Sequence, residues 1–66
     1  MGETFGKRLK QIRKNKKLTQ KQLANKIGIS EMSVTYYETN RSCPSIAVLE
    51  WLCTALEVSA TELLGF

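Results

Sequence analysis

Only three residues, Gly28-Ile29-Ser30, separate two stretches in which apolar residues recur at helical spacing. Leu23, Ala24 and Ile27 share a face before the break, and Val34 and Tyr37 share one after it. A link this short forces two helices to turn sharply on each other. Its residues suit that turn: Gly28 can take a positive φ, Ala24 is small where the helices approach, and Ile29 extends the apolar seam. Taken singly, these features would also fit an ordinary helical bundle with a tight turn.

The same helical period runs through Phe5, Leu9 and Ile12, through Ile46, Leu49, Leu52, Cys53 and Leu56, and through Leu63 and Leu64, while no segment alternates as a strand does. Cap chemistry places the helix starts. Thr19 with Gln22, and Ser59 with Glu62, form capping boxes, flanked by apolar staples from Leu18 to Leu23 and from Val58 to Leu63. Ser30 starts a third helix, with Ile29 stapling to Val34, and Pro44-Ser45 starts a fourth. The spacing predicts an all-α fold of five helices near 4–15, 20–27, 31–39, 45–56 and 60–64. Residues 1–66 are read as one domain, since a chain of 66 residues has no room for a second core.

What is missing narrows the function further. The chain has neither His nor Asp, so general acid–base chemistry would fall to six scattered Glu residues. No standard metal site can be assembled from Cys43, Cys53 and Glu, and no cofactor is expected. An enzyme is the class least suited to this composition. Cys43 and Cys53 form no Cys-x-x-Cys pair and are expected to stay reduced, Cys53 as a small core residue. No apolar run approaches the ~18 residues of a membrane span, and the opening Met1-Gly2-Glu3-Thr4 has no basic segment followed by an apolar one. A cytoplasmic location is expected.

Charge is unevenly shared. Residues 1 to 26 carry nine Lys or Arg against Glu3, a balance of +8, whereas residues 27 to 66 carry Arg41 against five Glu, a balance of −4. An anionic partner at one end of the molecule is one reading, with nucleic acid or an anionic membrane surface as candidates. The other is that Lys7, Lys10, Lys14 and Lys17 are the solvated side of the first helix.

Taken together over Gln20 to Glu38, the turn, the small residue and the apolar seam have the spacing of a helix-turn-helix. With Phe5-Gly6-Lys7-Arg8-Leu9, Ile12-Arg13, Leu18-Thr19-Gln20, Leu23-Ala24, Glu38, Pro44 and Ala55-Leu56-Glu57-Val58-Ser59, the chain resembles the lambda-repressor-like, Cro/C1-type regulators of phages and bacteria over nearly its whole length. Asn40 departs from the glycine usual there, but asparagine tolerates the left-handed conformation. The resemblance implies double-stranded DNA as the partner, with the third helix in the major groove and bases read by its first residues.

If Val34 and Tyr37 face the core, Glu31, Met32, Thr35 and Tyr36 point outward, with Ser33 at the margin. Glu31 could accept from a cytosine amino group, Met32 and Thr35 could touch thymine methyls, and Tyr36 could meet a base edge or a phosphate. Gln20, at the position where the family carries glutamine, is expected to reach the DNA bases as well. The start of the second helix, at Thr19 and Gln20, offers free N–H groups to phosphate, joined by Lys17, Ser33, Arg41 and Ser42. Arg13 and Glu38 resemble a structural ion pair of the family. On the fourth helix, the stripe from Ile46 to Leu56 is expected inward, leaving Val48, Trp51 and Ala55 on a second face that Leu64 and Phe66 could extend into a homodimer interface. Alternatively Trp51 lies over the fifth helix and completes the core. The function expected is a repressor that binds a palindromic operator as a dimer. The alternative is an antitoxin-type module that uses the same fold, Trp51 and the acidic second half to bind protein.

Overall fold

A computed structural model describes residues 4–65. Met1-Gly2-Glu3, which entered the reading of the chain's start, and Phe66, expected at an interface, lie outside the described residues. The helices are α1 (Phe5–Asn15), α2 (Gln20–Ile27), α3 (Glu31–Glu38), α4 (Ile46–Leu56) and α5 (Ala60–Leu64), with no strand among the described residues.

Each helix begins on a hydroxyl that satisfies one of its own unpaired amides. Thr4, Thr19, Ser30, Ser45 and Ser59 accept from the backbone N–H groups of Lys7, Gln22, Ser33, Val48 and Glu62. Thr19 and Ser59 complete their boxes, because Gln22 and Glu62 return a bond to the cap backbone. Such a cap contributes about 1 kcal/mol. Thr4, Thr39 and Ser45, counted inside helices from the sequence, are cap residues just outside them.

α2 ends at Gly28 with φ 80°, and the amides of Gly28 and Ile29 both donate to the Ala24 carbonyl, at 2.9 and 3.0 Å. A Cβ on Gly28 would meet nothing within 4 Å, so the glycine is required for its backbone conformation and not for space. Gly6 is the reverse case. A Cβ there would lie 2.4 Å from the Glu38 carbonyl oxygen and 2.6 Å from that of Tyr37, so α1 runs directly against the end of α3. Lys17, Asn40 and Glu57 turn the chain out of their helices in the left-handed conformation without being glycine.

α1 packs on α3 and α5, α2 on α3 and α4, and α4 on α5. They enclose one core of Leu9, Leu23, Ala24, Val34, Leu52, Ala55, Leu56 and Leu63. Each fully buried leucine contributes roughly 1.5–3 kcal/mol.

The inward stripe of α4 differs from the expected one. Leu52, Ala55 and Leu56 are its buried residues, with Val48, Leu49 and Cys53 packed partly against the core. Ala55, expected on the outer face, is only 8% exposed, and Ile46, expected inside, is 78% exposed. Val48 is half-buried too, so the outer face of α4 is formed by Ile46, Ala47, Glu50, Trp51 and Thr54. Trp51 is half-exposed and lines a groove together with Lys26 and Ile27 of α2.

Candidate nucleic-acid interface

The turn and the core together decide what α3 presents. Val34 is fully buried and Tyr37 half-buried, which rotates Glu31, Met32 and Tyr36 to the surface, with Ser33 and Thr35 at the half-buried margin. Met32 is 58% exposed. An unbranched apolar side chain this open on an otherwise well-packed helix has no partner within the core cluster.

Behind this face lies a buried polar network. Arg13 and Glu38 are 6% and 7% exposed, and the guanidinium grips the carboxylate at two points, Nε to Oε2 at 2.6 Å and Nη2 to Oε1 at 3.2 Å. The third nitrogen, Nη1, donates to the Leu18 carbonyl at 2.7 Å, just ahead of the α2 cap. Gln20 Nε2 donates to Glu38 Oε1 at 3.0 Å, and Thr35 Oγ1 donates to Gln20 Oε1 at 2.9 Å. One continuous chain of bonds therefore joins α1, the entry of α2 and the middle of α3. No buried side-chain nitrogen or oxygen among the described residues lacks a partner, as a buried ion pair requires.

This network gives Gln20 a different first task from the one expected of it. Its carbonyl and one N–H are used inside the protein, and a single N–H is left for DNA. Neither Gln20 nor Thr35 shows this pairing in the sequence, because the residues it joins lie 15 and 18 positions apart.

The remaining candidates surround this face. Thr19 uses its hydroxyl to cap α2, and Ser33 shares a 2.9 Å bond with Ser30. Arg41 is exposed and its guanidinium carbon stands 5.6 Å from the centroid of the Tyr36 ring, so a cation–π contact holds its charge at the end of α3. The amides of Arg41 and Ser42 both point at the Tyr36 carbonyl, at 2.8 and 3.4 Å, which anchors the loop to the helix. Lys17 is exposed at the corner between α1 and α2. Asn40, at φ 62°, keeps the turn where glycine is usual and adds two bonds, accepting from the Gly6 amide at 3.0 Å and donating to Thr4 Oγ1 at 3.1 Å.

A capped helix, a three-residue turn, and a second helix whose outward residues are free of the core define a helix-turn-helix domain. The helix-turn-helix family model matches residues 9–63, and the chain belongs to that family, in its Cro/C1-type branch. It is 40% identical over 62 residues to the immunity repressor protein of Bacillus phage phi105, covering 94% of this chain and 43% of that protein. The P22 c2 repressor, solved with a synthetic operator, superposes with a TM-score of 0.90 at 28% identity, over 96% of each chain. The biofilm regulator SinR, solved in complex with DNA, gives 0.85 at 36% identity over 91% of this chain and 97% of that one. The chain spans about half the length, or less, of the curated relatives it matches. No described helix is long and apolar enough to cross a membrane.

Proposed function

We propose that this domain represses transcription in the cytoplasm by binding a palindromic operator as a homodimer. The observation that carries the reading is the buried Arg13–Glu38–Gln20–Thr35 chain, which locks α2 and α3 together while Glu31, Met32 and Tyr36 face outward. In this reading Glu31, Met32, Thr35 and Tyr36 meet bases. Thr19, Lys17, Ser33, Arg41, Ser42 and the remaining N–H of Gln20 meet phosphates. Met32 and Tyr36 are the exposed apolar surface that base edges and thymine methyls would cover. The names of the phi105 and P22 proteins support repression. The dimer rests on the exposed Ile46 and Trp51 of α4, while the half-buried Leu64 lines a separate groove with Phe5, Pro44 and Leu49. A purely protein-binding module is the weaker reading, because it leaves the outward face of α3 without a task.

Selection from a random duplex pool tests this. An inverted repeat with half-sites about 34 Å apart, one turn of DNA, is the expected product. A pool that shows no enrichment rejects the reading, and enrichment of a single unrepeated half-site rejects its dimeric form.

A further inference from the structure

The buried network determines more than position: it determines the direction in which protons point. A carboxylate only accepts, so Gln20 must turn its nitrogen toward Glu38 Oε1, which leaves its oxygen toward Thr35. That oxygen also only accepts, so the Thr35 hydroxyl must donate to it. The hydroxyl's other neighbour within the protein is the Glu31 carbonyl at 3.3 Å, again an acceptor. Whichever of the two it serves, the one proton of Thr35 points into the protein. Outward, Thr35 has only the lone pairs of Oγ1 and its Cγ2 methyl group to offer. Glu31, one turn earlier on the same helix face, offers an exposed carboxylate, which also only accepts.

Resting on the DNA-binding reading above, we propose that Thr35 and Glu31 form an acceptor-only edge that selects exocyclic amino groups. The bases chosen at their positions are adenine through N6 or cytosine through N4, and guanine is excluded because its major-groove edge presents only the acceptors N7 and O6. Specificity at the Thr35 position is thus set by Glu38 and Gln20, neither of which needs to touch the base. A free threonine hydroxyl could rotate to donate or accept, and would read either kind of edge.

The test starts from the sequence selected by the wild-type chain. Selections with Thr35→Val and Glu31→Ala locate the base pair that each side chain faces, as the position where preference relaxes. At those positions adenine is replaced by purine, or cytosine by pyrimidin-2-one, which removes only the amino group. The wild type and Thr35→Ser should lose affinity about ten-fold at the Thr35 position, and Thr35→Val should lose almost none. Glu31 is exposed and its side chain stands outside the network, so Glu31→Ala gives the same readout at its own position even if Thr35→Val fails to fold. An equal loss in a variant and the wild type, or no position that relaxes, would overturn the proposal while leaving DNA binding intact. A pool with no enriched sequence would overturn both.

Discussion

Asn40 accepts a hydrogen bond from the Gly6 amide across 34 positions of sequence, at the same place where a Cβ on Gly6 would strike the backbone of α3. The start of α1 and the exit of α3 are thus held by two residues, one by having no side chain and the other by the side chain it has. Gly6→Ala forces the helices apart and should cost roughly 1–3 kcal/mol. Asn40→Ala loses both side-chain bonds and leaves a strained backbone, so it should be worse than Asn40→Gly, which loses only the bonds. Urea unfolding followed by circular dichroism gives the order; equal losses in the two Asn40 variants would show that the left-handed φ carries no cost here.

The Arg13–Glu38 pair should behave as a buried unit. Removing either partner alone leaves an uncompensated charge, and Arg13→Met or Glu38→Leu should cost about 3–5 kcal/mol. The double variant should recover much of that stability in the same unfolding experiment. It should still bind DNA less selectively, since Gln20 loses the group that orients it. Additive losses would mean that the two charges act independently.

Affinity for DNA should fall linearly with salt on logarithmic axes, with a slope of about −0.9 per phosphate contact. Arg41→Ala should lower affinity for all sequences and make the slope shallower by roughly one, measured by fluorescence anisotropy across a salt series. A slope near zero for the wild type would contradict phosphate contact altogether.

Trp51 is half-exposed, so Trp51→Ala should leave thermal unfolding close to wild type and weaken association. Sedimentation at ~10–100 μM, free and on a palindromic duplex, should show dimer for the wild type and monomer for the variant. Dimer in both would place the interface elsewhere.

Burial pushes the Cys53 thiol up, and the neighbouring Glu50 carboxylate adds to the effect. The folded state therefore holds this proton more tightly than the unfolded state does. Whatever stability this contributes is complete below the ordinary thiol range and is lost as pH rises from there through the higher value of the folded state. Alkylation near neutral pH should modify the exposed Cys43 first, with Cys53 labelling only as the solution becomes alkaline. Mass spectrometry of partly labelled protein checks the order.

Most of the fold was legible because the signals are local. Hydroxyl caps and Gly28 act within three or four residues, and they place every helix boundary within one position. The outward face of α3 followed from the same period at Glu31, Met32 and Tyr36, whereas Thr35, expected outward, is half-buried where its hydroxyl meets Gln20. α4 was misread because Ile46, Ala47, Val48, Leu49, Trp51, Leu52, Cys53, Ala55 and Leu56 put apolar residues at nearly every angle. Periodicity cannot orient such a helix, and its neighbours α2 and α5 do. Gly6 did carry a usable sign, since a glycine inside a helix is unfavourable unless something packs close to it. The Gln20–Glu38 and Gln20–Thr35 bonds had none, being side-chain meetings between separate helices.

Every described helix carries its own starting hydroxyl, so the interaction that eases its first turn is local. Nucleation is the costly step in forming a helix, and here it is eased five times over within stretches of a few residues. The helices gain the rest of their stability on docking, with the contact of α1 with α5 closing the longest loop. Small helical domains rich in such local contacts reach the native state in microseconds to milliseconds.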